Sequence, residues 1–140
     1  MSNPFFEWDD ALYSVGNATI DKQHQVLLDI LNRLHALIHD GDGIKNTTET
    51  AALMHELTKY IIEHFSYEEN QMQASAYPAE KIERHRAEHD FLTAKVQAFE
   101  RRLDNADPTV LEEMLPYLYG NWLIQHICIS DMEYRPYIQS

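Results

Sequence analysis

The amino-acid sequence predicts an all-α protein, an antiparallel up-down-up-down four-helix bundle with an N-terminal arm. Its apolar residues recur at spacings of three and four rather than two, which is the period of amphipathic helices. Glycine and proline are scarce, at 4 and 5 of 140 residues. The breaks between periodic stretches are short, and short connections favour antiparallel neighbours. We expect one domain over residues 1–140.

Each expected helix begins or ends at residues suited to that place. The predicted bounds are about 20–39, 48–73, 78–103 and 109–134. The signals are Gly41-Asp42-Gly43 after the first helix, a cap at Thr47 or Thr48, Pro78 opening the third helix and Asp107-Pro108 opening the fourth. Residues 1–17 are expected to form an arm that packs over the bundle. Its aromatic residues are Phe5, Phe6, Trp8 and Tyr13.

Composition argues against several partners. The formal charge of −12 disfavours nucleic acid and anionic membranes, both of which bind through lysine and arginine. No apolar run approaches the roughly 20 residues that span a bilayer. The first residues lack the basic and apolar regions of a secretory signal, and a lone Cys128 fits a reducing compartment. We expect a cytoplasmic monomer.

Seven side chains of the types that suit iron recur at metal-binding spacings. They are His24, the pair His64 and Glu68, the pair His85 and His89, and the pair His126 and Asp131. These groups lie near the start of the first and third expected helices and near the close of the second and fourth. Such positions share one end of an antiparallel bundle, so the seven side chains are expected to converge. Burying them without a metal would cost on the order of several kcal/mol.

The fourth helix is expected to be irregular. Residues four apart on an α-helix differ by about 40° around the axis, which suits the pairs on the second and third helices. The five-residue step from His126 to Asp131 turns by about 140°, so a local irregularity such as a π-bulge is expected between Ile127 and Asp131. Pro116 and Gly120 also interrupt this helix, which predicts a kink or two abutting segments.

Three other histidines are expected to lie apart from this site. His35 and His39 have ligand spacing, and His55 falls nearby, but all three belong to the opposite end of the bundle. Solvated or capping roles are favoured there over a second metal site.

The number of ligands predicts two metal ions. Five imidazoles and two carboxylates exceed the four ligands of one tetrahedral zinc. Two six-coordinate ions sharing two carboxylates and one bridging oxygen keep six further positions, of which the histidines fill five. One position stays open for a small ligand. The chain has no Glu-x-x-His motif of the kind that carboxylate-rich di-iron proteins use. No tyrosine, aspartate or lysine is singled out as an acid beside the open position.

Four segments that carry these ligands resemble the hemerythrins, in particular their single-domain bacterial forms. The segments are IDKQH at 20–24, HFSYE at 64–68, HRAEH at 85–89 and WLIQHI at 122–127, followed by Asp131. The resemblance extends over essentially the whole chain, including Trp8 and Gly16. It implies two irons (Fe²⁺/Fe³⁺), one held by His85, His89 and His126 and the other by His24 and His64, with Glu68, Asp131 and an oxo or hydroxo group as bridges.

The resemblance also implies reversible binding of dioxygen for carriage, storage or delivery, with no enzymatic turnover and with a possible protein recipient. Dioxygen would bind end-on at the second iron. The family positions that line its pocket are Phe65, Trp122, Leu123 and Ile127, for which ordinary core packing is an equally compatible role. Met132 departs from the basic residue that related chains often carry after the ligand aspartate.

Three alternative functions stay open. The first is an oxygen or redox sensing module, which is less favoured because no linker or output segment accompanies the domain. The second is an enzyme that reduces peroxide or nitric oxide, which would need solvent access and a proton donor. The third is a purely structural bundle, which would bind less than one iron per chain.

Overall fold

The computed structural model describes residues 7–39, 47–105, 107 and 109–138, except for the side chains at positions 39, 47, 111, 115, 119 and 121–124. Its elements are α1 Asp10–Tyr13, α2 Ala18–His39, α3 Thr47–Gln73, α4 Ala79–Asp104, α5 Val110–Tyr117, a π-helical segment Leu118–Ser130, α6 Asp131–Tyr134 and a 3₁₀ turn Arg135–Tyr137. No strand occurs in these ranges, so the all-α prediction is confirmed. Within them, no helix is long and apolar enough to cross a membrane.

The bundle consists of α2, α3, α4 and a composite fourth helix made of α5, the π-helical segment and α6. Residues later in α2 contact residues earlier in α3. His24 lies beside His64, with ring centroids 4.7 Å apart. Arg33, further along α2, pairs at 3.3 Å with Glu56, which comes earlier in α3. The two helices are therefore antiparallel.

The expected helix starts differ from the structure in detail. Thr47 and Thr48 are the first residues of α3 rather than its cap, because both already take part in the helix. Pro78 stands immediately before α4 with φ −58° and ψ 136°, so it precedes the first turn instead of opening it. The Asp107 carboxylate accepts a hydrogen bond from the Thr109 backbone at 3.0 Å, just before α5. Gly41-Asp42-Gly43 and Pro108 lie outside the described residues.

The apolar core has two layers. The larger layer joins α2, α3 and α4 to the composite fourth helix, and its buried members include Leu27, Leu31, Leu57, Phe65, Leu92, Val96 and Phe99. The smaller layer closes the end of the bundle where α2 and α4 begin, and consists of Val15, Ile20, Met72, Tyr77, Ile82, Tyr134 and Ile138. The seven expected ligands lie where these two layers meet, so apolar side chains cover them on both sides.

The segment before α2 is held by hydrogen bonds to the first turn of α2 and to the C-terminal residues. The Asn17 side-chain oxygen accepts from the backbone N–H of Ile20 at 3.1 Å, which caps the first turn of α2. Its amide nitrogen donates to the carbonyl of Ile138 at 3.3 Å. Gly16 has a φ of 78°, a left-handed conformation that glycine adopts without strain.

Part of the expected aromatic arm packs on the bundle. Trp8 and Tyr13 lie against the larger core layer, with their ring centroids 5.5 Å apart. Phe5 and Phe6 lie outside the described residues.

The composite fourth helix changes from α to π geometry at Leu118, two residues after Pro116. Because proline has no N–H to donate, the α-helical hydrogen-bond pattern is already interrupted there. The irregularity expected between Ile127 and Asp131 is confirmed, and it is longer than expected, covering 13 residues. At its end the backbone N–H of Asp131 donates to the carbonyl of His126, five residues earlier.

Candidate metal centre

The seven expected ligands meet at the end of the bundle where α2 and α4 begin, and each is at most 4% exposed. Their ligand atoms form two groups within which every atom lies within 4.8 Å of the others. One group is Glu68, His85, His89, His126 and Asp131, and the other is His24, His64, Glu68 and Asp131. The two carboxylates belong to both groups. The five histidines divide into three and two.

The π-helical segment makes the last pair possible. A π-helix has roughly 4.4 residues per turn, so a five-residue step returns to within about 50° of its starting direction. The Nε2 atom of His126 accordingly lies 3.2 Å from Oδ1 of Asp131. Sequence reasoning identified the need for this irregularity but not its extent.

Several distances between ligand atoms are close to the edge of an octahedron, which is also the length of an ordinary N···O hydrogen bond. The Nε2 atoms of His24 and His85 lie 3.1 and 2.9 Å from oxygens of Asp131. The Nε2 atom of His64 lies 3.0 Å from Oε1 of Glu68. Octahedral ions with bonds of about 2.1 Å separate adjacent ligand atoms by about 3.0 Å, against about 3.4 Å for a tetrahedral ion. Three distances are longer: His126 lies 3.2 Å from Asp131, and Glu68 lies 3.4 Å from His89 and 3.8 Å from His24.

Several of these buried atoms have no hydrogen-bond partner. They are both ring nitrogens of His24, Nε2 of His64, Oε1 of Glu68 and Oδ2 of Asp131. Their contacts of 3.0–3.1 Å do not satisfy hydrogen-bond angles. A buried polar atom left unpaired costs about 1–3 kcal/mol. A cation placed among these atoms would satisfy all of them except Nδ1 of His24.

Hydrogen bonds at the outer ring nitrogen, Nδ1, of three histidines fix the direction of the lone pair on Nε2. Nδ1 of His64, His89 and His126 lies 2.7, 2.8 and 2.7 Å from oxygens of Gln23, Glu69 and Glu88, respectively. An oxygen acceptor holds the ring proton on Nδ1, so Nε2 presents a lone pair to the interior. The Nε2 atoms of His89 and His126 face each other at 3.1 Å. Two lone pairs at this distance repel unless a proton or a metal ion lies between them, so the residues fit a cation, a metal ion included.

In the protein without metal, protons supply part of this positive charge. Burial lowers the pKa of His89, but its contacts with Glu68 and Glu69 outweigh burial and raise the pKa to about 9. Burial lowers the pKa of His24 as well, and the carboxylate of Asp131 reverses this to a net rise. Burial raises the pKa of Asp131, yet the surrounding histidines hold it at about 2. Both carboxylate charge and imidazole protons are therefore present at neutral pH.

Tyr134 was missed by sequence reasoning, which singled out no tyrosine at the site. Its side chain is fully buried, and its hydroxyl donates a hydrogen bond to Oε2 of Glu68. Burial, followed by the charges of Asp131 and Glu68, raises the pKa of Tyr134 well above 10, so the hydroxyl keeps its proton. The available signal was its spacing of three residues from Asp131, which shares a helix face with it.

Gln23, Glu69 and Glu88 were missed for a different reason. Each is adjacent in sequence to an expected ligand but contacts a ligand on another helix. Adjacent residues on an α-helix point about 100° apart, so these side chains lie beside the site and reach across to the neighbouring helix. Sequence adjacency to a ligand was the signal available, although it does not identify which histidine is contacted.

Two of the four expected pocket residues can be located. Phe65 is buried and stacks on His89, with centroids 3.8 Å apart and planes 4° from parallel. Ile127 is buried in the larger core layer. The side chains of Trp122 and Leu123 lie outside the described part of the structure.

His35 and His55 do not join the cluster. His55 is exposed and contacts the carboxylates of Glu100 and Asp104 near the far end of α4. Neither His35 nor His55 belongs to a group of potential ligands among the described residues. The side chain of His39 lies outside the description.

Comparison with known proteins gives one consistent family. A family model described as "Hemerythrin HHE cation binding domain" matches residues 15–138. The chain is 29% identical to a bacteriohemerythrin of Clostridium acetobutylicum over 92% of this chain and 98% of that protein. It is 27% identical to a bacteriohemerythrin of Methylococcus capsulatus over 92% and 93% of the two chains. A myohemerythrin of Sipunculus nudus is 31% identical over 82% and 88%.

Solved structures agree with this result. A crystal structure of wild-type hemerythrin matches with a TM-score of 0.83 at 26% identity, over 97% of this chain and 99% of the other. A mutant hemerythrin matches with a TM-score of 0.85 at 25% identity, over 99% and 100%. The similarity of fold therefore covers nearly the whole chain.

Metal uptake should release protons. A metal ligand must present an unprotonated nitrogen, whereas a pKa of about 9 keeps His89 protonated at pH 7 in the metal-free protein. Calorimetric titration of metal-free protein with Fe²⁺ under nitrogen, in buffers of different ionisation enthalpy, should report at least one proton released per chain at pH 7. The release should fall as pH rises through about 9. Uptake without proton release at pH 7 would contradict this description of the site.

Proposed function

We propose that this chain, which belongs to the hemerythrin family, holds two iron ions in the buried cluster and binds dioxygen reversibly. The observation that carries the proposal is the division of the ligands into two groups that share Glu68 and Asp131. We call His85, His89 and His126 the three-histidine position, and His24 and His64 the two-histidine position. With two shared carboxylates and one bridging oxygen, the first would be six-coordinate and the second would keep one vacancy.

Such a vacancy suits a small diatomic ligand. The iron pair would supply the electrons and the coordination position for dioxygen. The protein's own residues supply the surroundings: the ring of Phe65 covers His89, and apolar layers lie on both sides of the cluster. Excluding water from the cluster would protect a reversible ligand from proton-assisted loss, because protons reach a dry site slowly.

Tyr134 bears on the enzymatic alternative. Reduction of peroxide or nitric oxide would need a group that delivers protons to the site, and a buried tyrosine against Glu68 is the nearest candidate. The pKa of Tyr134 is raised well above 10, so this hydroxyl is protonated at neutral pH, and its one proton is engaged in the hydrogen bond to Glu68. Turnover would have to break this hydrogen bond, whereas reversible binding of a small ligand would leave it in place. An oxygen or redox sensing role uses the same chemistry and differs only in the partner.

The remaining expectations complete the proposal. We propose that residues 1–140 act as one domain, with residues 1–17 as an arm on the bundle. The match of the family model over 15–138 and the contacts of Trp8 and Tyr13 with the core support this organisation. A cytoplasmic monomer that passes oxygen to a protein recipient is the expected setting. The free thiol of Cys128 is compatible with that setting.

Reversible oxygenation can be measured directly. Reduced, iron-loaded protein should be colourless, gain a visible charge-transfer band in air, and lose it under vacuum over repeated cycles. Steady consumption of peroxide or nitric oxide by the reduced protein, without a reversible oxygenated form, would support the enzymatic alternative instead.

Single substitutions should separate ligands from other histidines. Replacing His85 with alanine should prevent assembly of the iron pair, since it removes a buried ligand beside Asp131, and iron content should fall from two to one or fewer per chain. The matched control is His55→Ala, which removes an exposed histidine remote from the cluster. Iron content measured after reconstitution should stay at two in the control. Equal loss in both variants would rule out the proposed ligand set.

A further inference from the structure

We infer that the three-histidine position binds its metal ion more tightly than the two-histidine position. Carboxylates accept hydrogen bonds from the Nδ1 atoms of two imidazoles at the three-histidine position, whereas no carboxylate accepts one from Nδ1 at the two-histidine position. Glu69 and Glu88 are therefore positioning residues that set the order in which the two positions fill. The inference rests on the proposed function in one respect, namely that the cluster holds two ions. It does not depend on whether dioxygen binds.

The three-histidine position has two anionic partners. Oε2 of Glu69 accepts from Nδ1 of His89 at 2.8 Å. Oε1 of Glu88 accepts from Nδ1 of His126 at 2.7 Å. A carboxylate that accepts the Nδ1 proton draws it away from the ring and makes Nε2 a stronger electron donor toward a cation.

The two-histidine position is different. Nδ1 of His64 meets the neutral side-chain amide oxygen of Gln23 at 2.7 Å. Nδ1 of His24 is buried without a hydrogen-bond partner. The nearby carboxylate of Asp21 instead accepts hydrogen bonds from the Ser14 hydroxyl and the backbone N–H of Val15, at 2.5 and 2.9 Å. Asp21 thus acts on His24 only through space.

The two carboxylates differ in how they are held. Glu69 also pairs with the guanidinium of Arg86 at 3.3 Å, which offsets part of its charge. Glu88 accepts from the neutral hydroxyl of Ser130 at 2.8 and 2.9 Å, which orients it without neutralising it. The side chain of Glu88 is 35% exposed and that of Glu69 is 24% exposed, so water screens both in part. We expect Glu88 to have the larger effect.

Anaerobic titration of metal-free protein with Fe²⁺, against a competing chromophoric chelator, tests this order. Wild-type protein should fill in two resolved steps, and His64→Ala should abolish only the weaker step. Glu88→Gln keeps a hydrogen-bond acceptor for His126 but removes the charge, so it should weaken the tighter step by about 10–100-fold. Gln23→Glu places a negative charge beside Nδ1 of His64 and should tighten the weaker step. Both variants should therefore reduce the difference in Fe²⁺ affinity between the two steps.

The matched control is Glu83→Gln, the same substitution at an exposed position of α4, which should leave both steps unchanged. Circular dichroism of the metal-free variants checks that helix content is kept. If Glu88→Gln does not fold, Gln23→Glu decides the question.

Several outcomes would overturn the inference. An unchanged affinity of the tighter step in Glu88→Gln would contradict it, and so would an equal loss of affinity in both steps. A loss seen with Glu88→Ala but not with Glu88→Gln would reduce Glu88 to orienting His126 without an electrostatic effect. Fewer than two ferrous ions per wild-type chain would remove the basis of both proposals. Two resolved steps without reversible oxygenation would reject the proposed function alone and leave this inference standing.

Discussion

The close approach of His89 and His126 is the constraint on which the rest of the site depends. Their Nε2 atoms lie 3.1 Å apart, and carboxylates at both Nδ1 atoms turn the lone pairs toward each other. Such an arrangement is stable only around positive charge, whether a proton or a metal ion. The carboxylates of Glu68 and Asp131 also require nearby positive charge, because they lie in a region enclosed by apolar layers. A bundle with these residues therefore favours cation binding at this end.

The asymmetry of the site arises because α4 supplies two histidines, whereas α2, α3 and the fourth helix supply one each. The π-helical segment places Asp131 five residues after His126 yet on the same face, so one carboxylate reaches ligands of α2 and α4 together. Three histidines then surround one side of the shared carboxylates and two surround the other. This unequal division favours a vacancy at one position, while the carboxylates behind His89 and His126 favour tighter binding at the other. Under the proposed function, open coordination and firm retention would thus fall to different halves of one cluster.

Sequence reasoning reached the fold and the convergence of the seven side chains because both follow from local rules. Helical periodicity defines the bundle, and four-residue spacing predicts paired side chains such as His85 and His89. The five-residue step before Asp131 was informative because it conflicts with α geometry. Tyr134 and Glu88 were not found, since their roles depend on which side chain of another helix they contact. Such cross-helix contacts depend on helix rotation and packing, which a single sequence does not specify. The length of the π-helical segment also could not be predicted, because no sequence rule fixes where π geometry ends.

The central claim is that the cluster holds two iron ions bridged by Glu68 and Asp131. Crystals of the reduced, iron-loaded protein, measured on both sides of the iron absorption edge, test it most directly. Two anomalous peaks should appear, one beside His85, His89 and His126 and the other beside His24 and His64, with both carboxylates between them. A single peak, or peaks remote from these residues, would contradict the claim.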